Sequence, residues 1–162
     1  MIMQWLTTTL KKLVLHERSV QKLTLSFCMG VYIAFSPFIG LHTVMVFITA
    51  WLFSLNFLVM LIVSNLVNNP WTLIPVYASD YLVGDWLLHK QLGLNTVQFN
   101  PSWLNWCSAY LNKYVSCPAF SLTAFLVGGN LLGIGLALAA YPLVKPIFKQ
   151  LITQLNAQTA HK

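Results

Sequence analysis

The chain has 162 residues, of which 57% are hydrophobic and 7% are charged, nine basic against three acidic for a net charge of +6. An ordinary soluble domain carries about 25% charged residues. From Leu23 to Ser79 there is no Lys, Arg, Asp or Glu, and as helix that run would measure about 85 Å against a hydrocarbon core of about 30 Å. These figures exclude a soluble enzyme, a disordered chain and a nucleic-acid-binding protein, and they predict an all-α polytopic membrane protein.

Residues 1–18 place Ile2, Trp5, Leu6, Leu10, Leu13 and Val14 at helical spacing, with Gln4, Thr7, Thr8, Lys11 and Lys12 opposite. The pattern predicts an amphipathic helix in the cytoplasmic membrane interface. It is not a cleavable leader, because the apolar run that follows lacks a small-residue cut site and continues through Pro37.

A membrane domain is expected over 19–145. Its first apolar segment, 19–36, is marginal in length and ends in Ser36-Pro37-Phe38-Ile39-Gly40. Proline removes a backbone donor and disfavours helix at the residue before it, so the chain turns or kinks there. The segment 41–64 is uncharged and long enough to cross. A second break follows at Ser64-Asn65-Leu66-Val67-Asn68-Asn69-Pro70-Trp71-Thr72, and a third segment, 71–88, carries Pro75, Asp80 and Asp85.

The loop 89–118 holds Trp103, Trp106, Tyr110 and Tyr114, and is read as an outer interfacial helix over 100–116. The last segment, 119–141, is free of charge and contains the pair Gly129 and Gly133, whose spacing suits close helix packing within the chain or between copies. A cytoplasmic tail, 146–162, completes the chain.

Basic residues gather at the two ends: Lys11, Lys12, Arg18 and Lys22, then Lys145, Lys149 and Lys162. The positive-inside rule puts both termini in the cytoplasm and makes the number of crossings even. Four crossings satisfy it. The alternative makes 23–50 a re-entrant hairpin, with the even count recovered elsewhere.

Catalytic constellations are thin. No Ser-His-Asp grouping, HExxH motif or phosphate-cradling glycine loop is present, so no enzyme activity, metal or cofactor is expected. Cys28 reads as a small buried thiol, and Cys107 and Cys117 share the outer loop, where an oxidising compartment would allow pairing.

The polar residues at membrane depth are more informative. His42 follows Gly40 in apolar chain, either as a functional group or as a neutral imidazole bonded to a carbonyl freed near Pro37. Asp80 is either a buried partner for His42 or a polar end of the third segment, the buried role being preferred because apolar residues flank it, while Asp85 marks a membrane boundary. Asn65, Asn68 and Asn69 fall on one helix face, either coordinating a polar group or capping the helix end.

Two motifs carry a resemblance. Pro37-Phe38-Ile39-Gly40-Leu41-His42-Thr43, and Asn69-Pro70-Trp71-Thr72-Leu73-Ile74-Pro75-Val76-Tyr77 followed by Tyr81-Leu82-Val83-Gly84, resemble the bacterial membrane family called domain of unknown function 2062. The similarity covers roughly 20–145. It implies an inner-membrane address and a helix-packing role for Gly84. Because some relatives are joined to glycosyltransferases, it also hints at lipid-linked sugars or polyprenyl phosphates. The family admits Gln at the position of His42, which implies that His42 is not an obligatory proton carrier.

The leading expectation is a polar pocket where the two broken segments converge, binding or translocating a small solute or an anionic lipid headgroup. Its side chains would be His42, Thr43, Asn65, Asn68, Asn69, Thr72, Tyr77 and Asp80, with Pro37, Gly40, Pro70 and Pro75 holding the breaks. The rival expectation is a non-transporting anchor or assembly partner for an envelope enzyme, docking through Gly129 and Gly133 or the outer aromatic helix.

Overall fold

The computed structural model describes residues 19–36, 38, 41–93 and 121–160, with side chains as far as Ala157. Every regular element among them is helical: α1 (Val20–Ala34), α2 (His42–Leu52), α3 (Phe57–Val67), α4 (Leu73–Asp85), which runs on as a π-helical segment (Trp86–Gln91), and α5 (Leu122–Ala160). The expected interfacial helices at 1–18 and 100–116 lie outside the described residues, as do Pro37, Gly40, Cys107 and Cys117.

α1 starts at Ser19, whose side chain accepts a hydrogen bond from the Lys22 N–H at 3.4 Å. Its polar residues are buried but satisfied within the helix. Thr24 donates to the Val20 carbonyl at 2.8 Å and Ser26 to the Lys22 carbonyl at 2.7 Å. Cys28 is buried and free, as its apolar surroundings in the sequence imply.

The uncharged stretch 41–64, expected as one crossing, is two helices instead. α2 stops at Leu52, and Ser54 takes a left-handed φ of 50°. Asn56 then caps α3, its side chain accepting from the Val59 N–H at 3.1 Å while its own N–H donates to Ser26 Oγ at 2.8 Å. A non-glycine residue at such a φ is strained. Ser54→Gly should therefore stabilise the protein by about 0.5–1 kcal/mol, and a thermal unfolding series in one detergent checks it.

α5 is the only described helix long and apolar enough to cross a membrane, over Leu122–Ala157. One such helix is a limited indication of membrane association, and four crossings are not established by it. The helix continues through Pro142 and Pro146 to Ala160. α1, α2 and α3 are shorter apolar helices. The surface adds to the indication, because Trp51 is 78% and Trp71 89% exposed among many large apolar side chains.

α5 is the spine. Its first part packs on α4 through Val76, Tyr77, Tyr81, Ala124 and Phe125, and its later part on α1, where Phe27 meets Phe148 edge to face at 6.4 Å. α2 and α3 lie against α1 around Ile33, Val46, Ala50 and Met60.

Two seams are set by glycine. A Cβ on Gly84 would fall 1.8 Å from the Ala124 carbonyl oxygen, and one on Gly128 would fall 1.7 Å from the Asp80 carbonyl oxygen. Gly133 packs on Tyr32 and Phe35 of α1. The glycine face that was expected to serve either the chain itself or a second copy thus serves α1 at Gly133. Gly84 is a packing glycine, as the resemblance implied.

Candidate functional site

The two breaks meet. α1 ends at Ala34, and the chain turns through Ser36 to the start of α2, while α3 ends at Val67 and the chain turns through 68–72 to the start of α4. Asn68 ties the two turns together, donating to the Ala34 carbonyl at 2.7 Å. His42 Nε2 lies 3.1 Å from the Ser36 carbonyl oxygen and 3.1 Å from Asn68 Nδ2. One ring nitrogen cannot donate and accept at once. The Nε2–H tautomer donates to Ser36, and the other accepts from Asn68, so a tautomer change moves the imidazole's bond from one break to the other. Nε2 is within reach of the Ser36 carbonyl, and His42 also lines the cavity described next, so the geometry accommodates both sequence readings of His42.

A cavity of about 220 Å³ opens here, lined by His42, Thr43, Ser64, Asn65, Asn68, Leu73 and Tyr77. That is room for about seven waters at about 30 Å³ each, and less than the 300–1,000 Å³ of a site for a drug-sized ligand. No Asp, Glu, Lys or Arg among the described residues lines it. Among the described residues there is no cluster of His, Cys, Asp and Glu able to hold a metal.

Five of the eight side chains expected in the pocket line it: His42, Thr43, Asn65, Asn68 and Tyr77. Asn69 and Thr72 do not. Asn69 Oδ1 accepts from the Trp71 and Thr72 N–H groups at 2.8 and 3.1 Å, and its Nδ2 donates to the Leu66 carbonyl at 3.3 Å. Thr72 Oγ1 donates to the Val67 carbonyl. Both are spent on closing the turn, because α3 stops at Val67 and rotates Asn69 off the face that carries Asn65.

Asp80 is also away from the cavity. It is fully buried, its carboxyl oxygens have no hydrogen-bond partner among the described residues, and its backbone abuts Gly128 of α5. It does not pair with His42, because α4 directs the face of Val76, Asp80 and Gly84 into the seam with α5. Asp85 accepts from or pairs with His89 Nδ1 at 2.7 Å, with both side chains about two-fifths exposed, in keeping with a polar boundary.

The breaks also divide differently from expectation. Pro70 sits in the turn, but Pro75 is the third residue of α4. A first-turn N–H has no intrahelical acceptor, so proline is tolerated there and holds nothing open. Ser64 and Leu73 line the cavity without having been singled out. Ser64 stands four residues before Asn68, and that spacing was the available signal.

Helix ends around the cavity are treated unequally. Carbonyls at the ends of α1 and α3 are occupied: the Asn68 side chain bonds Ala34, the Asn68 N–H bonds Ser64 at 2.9 Å, Asn69 bonds Leu66 and Thr72 bonds Val67. The amino end of α2, which begins at the cavity-lining His42, has no side-chain cap, whereas that of α4 is capped by Asn69, whose Oδ1 holds the Trp71 and Thr72 N–H groups while its carbonyl accepts from the Leu73 N–H at 2.9 Å. The wall therefore keeps the partial positive charge of the α2 N-terminus while nearby carbonyls are consumed.

The architecture defines a class: a small all-helical protein with interrupted helices whose breaks enclose a polar cavity. The chain belongs to the family described as "Uncharacterized protein conserved in bacteria (DUF2062)", whose model matches residues 3–155. No curated protein and no solved structure matches it.

Proposed function

We propose that this is a bacterial inner-membrane protein that binds, and passes across or along the bilayer, a ligand with a small anionic head, of the polyprenyl-phosphate type. The observation that carries the reading is the polar cavity formed where both breaks meet, with the uncapped N-terminus of α2 at its wall and nearby carbonyls already bonded. Helix N-termini favour anions, and amide and hydroxyl donors hold a phosphate without fixing a cation in the membrane. A volume near 220 Å³ suits a headgroup rather than a whole lipid. The lipid tail would leave through the open side, toward the exposed apolar surface of α2.

The reading of the chain as a membrane anchor for an envelope enzyme loses part of its support, since Gly133 is occupied by α1. In this reading both termini face the cytoplasm, as the basic residues near the chain ends favour.

Thr43 and Asn65 are the residues to alter, because both are exposed at the cavity and neither joins two elements. Thr43→Val with Asn65→Leu should leave thermal stability within about 0.5 kcal/mol and weaken binding of farnesyl phosphate at least tenfold, measured by titration of the detergent-solubilised protein. Farnesol should not compete, and inorganic phosphate should compete weakly. Equal affinity of wild type and double variant for farnesyl phosphate would defeat the proposal.

A further inference from the structure

We infer that the chain crosses the bilayer twice, not four times, with α1 and α2 forming a re-entrant hairpin and α3 and α4 one interrupted crossing, so that the cavity lies at mid-depth. The inference rests on the membrane reading above but not on any ligand.

The depth follows from α5. Its charge-free part runs from Leu122 to Val144, before Lys145. Tyr32 donates to Asn130 Oδ1 at 2.8 Å, and Gly133 packs on Tyr32 and Phe35, so α1 ends beside Asn130–Gly133. From Leu122 to Gly133 is about 16 Å of helix, and from Gly133 to Lys145 about 18 Å. The end of α1, and the cavity next to it, therefore sits close to the middle of a stretch that matches a hydrocarbon core of about 30 Å.

The directions of the other helices follow from their contacts. α1 begins near the Lys145 end, where Phe27 meets Phe148, and stops after 15 residues, about 22 Å. α2 then returns the way α1 came. The turn between α2 and α3 lies level with the middle of α1, about 12 Å from its end at Ala34, because the Asn56 N–H donates to Ser26 Oγ. α3 climbs back to the cavity, and α4 continues past it to the other end of α5, where Gly84 abuts Ala124.

α3 and α4, with 11 and 13 residues, add to about 36 Å, enough for one crossing. Lys22, Lys145 and Lys149 then share one face of the membrane, and Asp85 and Lys90 the other. Trp51, Leu52 and Phe53, all strongly exposed, fall at the first face and Trp86 at the second, as aromatic residues do at bilayer boundaries. Broken backbone at membrane depth survives only where protein or a wet cavity satisfies it, and Asn68, His42 and Thr72 supply that satisfaction.

The test uses the full-length protein, its native cysteines replaced by serine, with single cysteines introduced and labelled by a membrane-impermeant maleimide from either face of the native membrane. Ser54→Cys should label from the same face as Thr153→Cys, and Leu92→Cys only from the opposite face. Leu41→Cys and Trp71→Cys should label from neither, at rates at least tenfold lower. Leu52→Cys, on the same turn, repeats the reading of Ser54→Cys should that variant misfold. Four crossings give the reverse pattern: Leu41→Cys labels with Leu92→Cys, Trp71→Cys labels with Thr153→Cys, and Ser54→Cys is silent. That pattern, or silence at both Ser54→Cys and Leu52→Cys, overturns the inference. Labelling of Thr153→Cys and Leu92→Cys from the same face overturns it as well, and the membrane placement with it, whatever the farnesyl phosphate titration gives.

Discussion

Gly84→Leu, and separately Gly128→Leu, should prevent the protein from being recovered folded. A first side-chain carbon at either position would sit less than 2 Å from a main-chain carbonyl oxygen of the facing helix, where ordinary contact needs well over 3 Å. The obstacle is backbone, so no rotamer change relieves it, and α4 must move bodily away from α5. That motion would uncover Tyr77, Tyr81, Ala124 and Phe125, which are buried in the same seam. Overpacking typically costs about 1–3 kcal/mol, and with the seam lost the cost should exceed about 3 kcal/mol. Gly135→Ala is the control, since a Cβ there meets nothing within 4 Å. It should be neutral or stabilising by up to about 1 kcal/mol, because glycine is the poorer helix former. Recovery as a single peak in size-exclusion chromatography and the unfolding midpoint give the comparison. Folded Gly84→Leu protein with an unchanged midpoint would show that the two helices do not meet as described.

The breaks were legible in the sequence because proline and glycine act locally. Pro70 cannot donate, and the residue before a proline avoids helix, so the chain announces an interruption without tertiary help. The helix end at Leu52 was not read, although the signal was present: Asn56 stands immediately before an apolar run, a helix-start pattern. Hydrophobic length obscured it, because an uncharged stretch of crossing length looks the same whether it is one helix or two. The left-handed Ser54 that makes the turn is invisible to composition. Glycine spacing was similarly ambiguous. Gly129 and Gly133 formed the recognisable pair, yet the closest approach of α5 to α4 is made by Gly128, a choice fixed by helix rotation.

For the site, residue type told more than residue role. The asparagine cluster pointed to the right place, since Asn65 and Asn68 line the cavity. It could not say that α3 would end between Asn65 and Asn69, and that end is what converts Asn69 from a wall residue into a clasp on the turn. Thr72 is a clasp for the same reason. A double substitution at Asn69 and Thr72 would therefore open the break rather than strip the cavity of contacts, which is why Thr43 and Asn65 are the better probes of binding. Asp80 shows the opposite error. Its apolar neighbours correctly implied burial, but burial was read as proximity to His42, and only the packing of α4 on α5 separates them.

Asp80 also gives the second large effect: truncating it should make the protein more stable. The carboxyl is fully buried in the seam and neither oxygen has a hydrogen-bond partner among the described residues. An unsatisfied buried polar group costs about 1–3 kcal/mol, more when charged, and replacing it by an apolar group removes that cost. Asp80→Ala leaves a small void, penalised at about 24 cal/mol per Å³, so the net gain should be about 1–2 kcal/mol. Asp80→Asn keeps the shape but substitutes one unsatisfied polar group for another, and should gain less. A lower unfolding midpoint for Asp80→Ala than for wild type would mean that the carboxyl has a stabilising partner after all. If the midpoint rises as expected, farnesyl phosphate affinity decides what the acid is for. A stabilised variant that binds as well as wild type marks Asp80 as dispensable to the cavity three residues away at Tyr77. A stabilised variant that has lost binding marks a group retained at the expense of the fold, the pattern expected where function needs what stability opposes.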